Sequence, residues 1–200
     1  MPRVLEKKER SLGTKLSIRG ERCDSPKCAL IRKPYHPGQH GKRYRRNLSD
    51  FGVQLQEKQK MRLSYGLGDR ELFSLLKRAG KSPTSLLEML EGRLDNVVFR
   101  LGFAPSRSVS RQLVSHGHFL VNGKRVSTPS YQVRSGDAVS VRANSQANPY
   151  FQGLVEKLKK HETPAWLTLD PEAMEGKILG RPSEVDLPLD VNLVVDFYSK

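Results

Sequence analysis

Residues 93–141 read RLDNVVFRLGFAPSRSVSRQLVSHGHFLVNGKRVSTPSYQVRSGDAVSV and carry most of the architectural information in this chain. Leu94, Val97, Val98 and Leu101 recur at helical spacing and form one apolar stripe. Gly102 stands where a left-handed residue closes a helix, Ser106 is a suitable N-cap for a second helix, and Gly117 a suitable stop. On that second helix Val109 and Leu113 share one face, while Arg107 and Arg111, four apart, emerge together on one side. Phe119 and Val121 then alternate with His118 and Leu120 as a strand does. Asn122-Gly123 is the strongest short-range hairpin signal, because both residues tolerate positive φ. Lys124, Arg125 and Val126 begin the return strand, and a turn at Ser135-Gly136-Asp137 precedes another strand at residues 138–141. The pattern predicts two short helices packed on a compact β unit.

The physical consequence is a cationic rim around a small apolar core. Forked guanidiniums match phosphate oxygens, and A-form RNA is gripped through shape, phosphates and 2′-hydroxyls because its major groove is too deep and narrow to read. Arg93, Arg107, Arg111, His116, Lys124 and Arg125 are candidate phosphate contacts, with Gln112, His118 and Asn122 for hydroxyls. Taken singly, each charge reads as solvated surface; taken as an ordered set, they read as an RNA face. Asp95, near a helix start, reads as a cap or ion-pair partner rather than a catalytic carboxylate.

This ordered set resembles the small RNA-binding domain named after ribosomal protein S-four. That domain also occurs in pseudouridine synthases, tyrosyl-tRNA synthetases and ribosome-rescue heat-shock proteins. The blocks GERCDSPKCAL, RKPYHPGQHGKR, SDFGVQLQEKQKMRLSYGL, AWLTLD, MEGKILGRPSEVDLP and VVDFYSK resemble the bacterial S-four family itself, in the same order and over nearly the full length. The resemblance implies an α+β protein with three parts. An extended basic N-terminal arm would occupy 1–47. A mainly helical rRNA-binding domain would be discontinuous, at 48–92 and 158–200. A small inserted RNA-binding domain, helices on a short antiparallel β unit, would occupy 93–157.

Composition agrees with a polyanionic partner. The 200 residues carry 35 Lys+Arg against 21 Asp+Glu, a net charge of +14, with only 36% hydrophobic residues. The charge is uneven: +10 over residues 1–60, +9 over 61–160 and −5 over 161–200. The acidic C-terminal portion is thus suited to packing or to a basic protein neighbour. No run of eighteen apolar residues exists, so no membrane span is expected. The N-terminus lacks a secretory h-region, and two Cys suggest a reducing compartment.

Residues 1–47 are rich in Lys and Arg and sparse in apolar residues, so irregular, extended structure that orders on binding is expected. Lys42, Arg43, Arg45 and Arg46, with Tyr44 between them, form a phosphate-binding tract. The loop PYHPGQHG at residues 34–41 brings main-chain N–H groups close to a phosphate. The resemblance implies that it contacts rRNA, with His36, Gln39 and His40 as binding rather than catalytic residues. Cys23 and Cys28 are spaced C-x4-C, half of a structural zinc motif. Some family members carry a second pair upstream and bind zinc; here the region around Glu6 and Glu9 has none. His36 and His40 nominally complete a Cys2His2 set, but two free thiols, no metal and no cofactor are expected.

Residues 48–80 read as helices, with Lys58, Lys60 and Arg62 opposite the apolar positions and available to RNA. Ser82-Pro83 starts another helix, and Gly92 kinks it or separates it from the next. Trp166 and Leu167 are expected to dock on the helical domain, and residues 193–198, β-branched and aromatic, read as a strand. The chain lacks a P-loop, GxSxG or HExxH motif. The reading is a non-enzymatic constituent of the small ribosomal subunit, in the cytoplasm, with a plastid ribosome as the alternative. Expected partners are small-subunit rRNA, neighbouring ribosomal proteins and mRNA at the entry region, with no membrane and no small-molecule substrate. By resemblance it would nucleate assembly of the subunit body and contribute to accuracy. The alternative is a free RNA-binding factor such as a ribosome-rescue heat-shock protein.

Overall fold

The computed structural model describes residues 6–18, 20–43, 47–182 and 188–199. Its contacts divide the chain into two units: Met1–Leu86 with Asp186–Lys200, and Leu87–Val185.

In the first unit, three short helices, α1 (Glu6–Leu12), α2 (Glu21–Asp24) and α3 (Ala29–Arg32), precede α4 (Asp50–Ser64) and α5 (Asp69–Arg78). The N-terminal segment is therefore not the extended arm that its composition predicts. Leu16, Cys23 and Cys28 are buried. The buried Glu9 carboxylate accepts hydrogen bonds from the backbone N–H groups of Leu16 and Ile18, at 3.0 and 3.3 Å. One internal carboxylate thus organises a turn that too few apolar residues would hold alone. Ser49 caps α4, its hydroxyl accepting from the Gly52 N–H. After Ser82 comes α6 (Pro83–Glu91), whose residues from Leu87 onward belong to the second unit.

The second unit takes in the last residues of α6 and continues with α7 (Leu94–Arg100) and α8 (Arg107–Ser115), with Gly92 lying between α6 and α7. Strands β1 (Phe119–Val121), β2 (Lys124–Arg125) and β3 (Ala138–Val141) follow. Then come three single turns, α9 (Ala143–Gln146), α10 (Pro149–Gln152) and α11 (Leu154–Leu158), and strands β4 (Leu167–Asp170) and β5 (Glu175–Ile178). The Ser106 hydroxyl caps α8 as its position predicts, and Asn122 and Gly123 turn the hairpin at φ 49° and 76°. The five strands form one antiparallel sheet in the order β2-β1-β3-β5-β4.

Here the structure departs from the sequence reading. Residues 167–178 make a hairpin that extends the sheet, with Val139 opposite Gly176. A Cβ on Gly176 would come within 2.4 Å of the Leu101 side chain, so β5 passes against the end of α7 only because that position is glycine. Trp166 and Leu167 accordingly pack with Leu94, Val98, Phe119 and Ile178 in the core of the second unit rather than on the helical domain. Phe103, Phe119 and Phe151 are fully buried there, each burial contributing about 1.5–3 kcal/mol. The C-terminal segment is a helix, α12 (Val191–Ser199), not a strand. Within the first unit it packs on α4, burying Val194 and setting the Phe197 ring 5.4 Å from Phe51. That packing overrides the β preference of its valines.

Candidate nucleic-acid interface

The basic residues of the second unit sort into two groups. The first faces inward. The Arg93 side chain, 1% exposed, donates Nε–H and Nη2–H to the two Asp95 oxygens, each at 3.0 Å. Arg100 donates to both oxygens of the fully buried Glu91, at 3.0 and 3.2 Å. Asn96 bridges the set: its Nδ2 donates to Glu91 Oε2 at 2.8 Å, and its Oδ1 accepts from Arg107 Nε at 2.7 Å. Arg107 also stacks on the Phe99 ring, 4.6 Å from its centre, and lies 3.9 Å from Glu91. Arg111 reaches Asp95 at 4.0 Å.

Four guanidiniums thus gather about two carboxylates, and the Arg107 and Arg111 side chains keep only 13% and 21% of their surface in water. Arg93, Arg107 and Arg111, expected on the RNA face, are turned into this knot. The helical spacing gave the right side of α8, but no local signal says that Glu91 lies opposite. The loop after β2 closes over the same region. Leu94 N–H donates to the Tyr131 carbonyl at 2.8 Å, and Gln132 Nε2 donates to the Met89 carbonyl at 2.9 Å.

The second group faces outward. Gln112, His116, Lys124 and Arg125 are exposed around the C-terminal end of α8 and the hairpin. Arg134, which the sequence reading passed over, is also exposed. Arg125 lies over Gly117, where a Cβ would come within 2.3 Å of Nε, and it donates to the His116 carbonyl at 3.3 Å. The Asn122 amide is engaged: it donates to Asp137 at 2.8 Å and accepts from the Ala138 N–H at 2.9 Å, tying the hairpin to the next turn. His118 is half-buried and shares a 3.0 Å hydrogen bond with Ser145. Burial, reinforced by His116, Arg125 and Arg142, holds its pKa below the ordinary imidazole value.

In the first unit, the three α4 cations are held by protein. Lys58 pairs with Asp69 at 3.0 Å and lies 4.7 Å from the centre of the Phe197 ring; Lys60 pairs with Glu57 at 2.6 Å; Arg62 pairs with Asp69. The hydrogen bond from Lys58, then the charge of Arg62, holds the Asp69 carboxyl below its usual value. Glu57 also accepts from the Asp190 N–H at 3.0 Å, so these pairs fasten the segment leading into α12.

Gln39, His40, Lys42 and Arg43 are exposed, and His36 is half-buried. Its carbonyl passes so close to Gly41 that a Cβ there would lie 1.8 Å away. Lys42 lies over the Tyr35 ring at 5.2 Å. Tyr44, Arg45 and Arg46 fall outside the described residues. Cys23 and Cys28 are buried and not joined in a disulfide, and among the described residues no group of three or more His, Cys, Asp or Glu is arranged to share an ion. Among the same residues, no helix is long and apolar enough to cross a membrane.

Two families match the chain: the S4 domain over residues 92–139, and the ribosomal protein S4/S9 N-terminal domain over residues 5–95. The chain is 49% identical over 194 residues to the small ribosomal subunit protein uS4 of Thermus thermophilus, covering 94% of this chain and 93% of that protein. It is 47% and 44% identical, with the same coverage, to proteins of that name from Acetivibrio thermocellus and Solidesulfovibrio magneticus.

Proposed function

Since the chain belongs to the uS4 family of small-subunit ribosomal proteins, we propose that it binds small-subunit rRNA as a structural component and holds a junction of rRNA helices by electrostatic and geometric fit. The single observation that carries this reading is family similarity over 94% of the chain. The outward group of the S4 domain supports it, since the exposed Gln112, His116, Lys124, Arg125 and Arg134 form a polar rim fixed on a folded core. In the first unit the exposed Gln39, His40, Lys42 and Arg43 supply a second set. The buried arginines serve this function indirectly, by holding α7 and α8 in place.

Binding at such a junction would seed assembly of the subunit body. The acidic stretch 161–200 suits contact with a basic ribosomal neighbour, and contributions to accuracy and to the mRNA path would follow from that position. The test is binding of the full chain to small-subunit rRNA over a salt series. Specific binding that weakens steeply with salt is expected. Equal affinity for an unrelated duplex would overturn the reading.

A further inference from the structure

His118 stands where several segments of the second unit meet. It follows α8 and precedes β1, and its ring lies 5.9 Å from the His116 ring and 5.7 Å from the Phe151 ring of α10. Its carbonyl accepts from the Arg142 N–H at 2.9 Å, and its Nδ1 shares the 3.0 Å hydrogen bond with the buried Ser145 of α9. Arg125, on β2, holds the His116 carbonyl at 3.3 Å. The titratable and charged groups facing the ring are thus His116 at the end of α8, Arg125 on β2 and Arg142 after β3, while α9 and α10 supply Ser145 and Phe151. Arg142 was not singled out in the sequence, because β3 brings it to His118 only by pairing with β1.

Each of the three charged neighbours is positive or able to become so. Among the described residues, no carboxylate lies within ion-pair distance of Arg125 or Arg142. An imidazolium at His118 is therefore opposed, by burial first and then by His116, Arg125 and Arg142. The site nonetheless admits a proton without giving way. A hydroxyl accepts as well as donates, so Ser145 keeps its bond whether Nδ1 is bare or protonated. The ring is only half-buried, so solvent can deliver the proton.

The field reverses when a polyanion arrives. Phosphates that pair with the guanidiniums cancel their repulsion and add an attraction of their own, and imidazolium becomes the favoured form. We propose that His118 couples RNA docking to proton uptake: as phosphates approach the cluster of His116, Arg125 and Arg142, the ring takes one proton from the buffer, and association strengthens as the pH falls. The coupling deepens the rRNA-binding reading and rests on it for the docking strand. By linkage, the proton and the RNA favour each other equally. One full proton raises affinity about tenfold per pH unit, in the window between the ring's free and bound values.

The experiment is calorimetric titration of the full chain with small-subunit rRNA at pH 6.5, in two buffers of different ionisation enthalpy. The difference in heat counts the protons taken up. Net uptake of up to about one proton is expected at His118, with affinity at least about threefold higher at pH 6.0 than at pH 7.5. His118→Asn is expected to lose most of the uptake and most of the pH dependence. His161→Asn, at an exposed imidazole that hydrogen-bonds the Arg100 carbonyl, is expected to lose neither. A second measurement needs no variant: in NMR titration of the parent chain, the His118 midpoint should rise when oligouridylate is added at low salt.

Zero uptake, uptake undiminished in a folded His118→Asn, or a His118 midpoint that oligouridylate leaves in place overturns the proposal. Specific rRNA binding without proton uptake would sink the coupling and leave the rRNA reading standing. Equal affinity for an unrelated duplex, with His118-dependent uptake on both, would sink the rRNA reading and leave the coupling.

Discussion

The knot around Glu91 and Asp95 and the cluster around His118 use the same side chains for opposite ends. In the knot, Arg93, Arg100, Arg107 and Arg111 meet two carboxylates at buried or half-buried positions, and Arg93 and Arg100 each spend their fork on one of them. In the cluster, Arg125 and Arg142 stand beside two imidazoles, and among the described residues no carboxylate lies within ion-pair distance of either guanidinium. A basic residue is a ligand-binding residue only if the fold has not already supplied its anion. Carboxylates distributed unevenly along the chain therefore sort arginines into structural and functional ones, and the sorting is invisible while acid and base are counted together.

The comparison breaks most sharply at Arg93. Its replacement in Arg93→Met strands the buried Asp95 carboxylate, so chemical denaturation should show a loss of about 3–5 kcal/mol. A loss below about 1 kcal/mol would show that the knot does not depend on charge neutralisation.

The hairpin should respond less. Asn122→Ala places a non-glycine residue without an Asn side chain at φ 49° and removes two hydrogen bonds, for an expected loss of about 1–3 kcal/mol. An unaltered melting midpoint would assign the turn to Gly123 alone.

On the outward rim the effect should move from stability to binding. The double change Lys124→Ala/Arg125→Ala is expected to leave stability within about 0.5 kcal/mol. It should also lower the slope of log affinity against log salt by roughly 0.7–0.9 per lost cation. The same slope as the parent would take these residues off the rRNA face.

The smallest expected effect is at His118. Its folded pKa lies below the ordinary 6.5, so the neutral ring is the form the fold prefers. That contribution is fully present above the ordinary value and is lost as pH falls through the lowered one. Melting curves at pH 7.5 and 5.5 should converge more in His118→Asn than in the parent; an identical pH dependence in both would contradict the shift.

The features legible in the sequence are local. The Ser106 cap, the Asn122-Gly123 turn and the α7 stripe each depend on residues within a few positions of one another, and each stands where its pattern places it. Family membership was legible for the same reason, through blocks of residues in fixed order. The C-terminal helix was misread because its β-branched residues state a weak preference that packing on α4 reverses.

Sequence alone established a basic, RNA-directed α+β protein with its helices and hairpin near residues 94–125, because charge and periodicity are additive along a chain. Folding settled which cations are spent and which remain. It brought Glu91 to Arg100 and Arg107, Asp69 to Lys58, and β5 to β3, contacts made by distant segments under a shared core. Such pairings depend on burial and on mutual distance, quantities that no single residue or short motif carries.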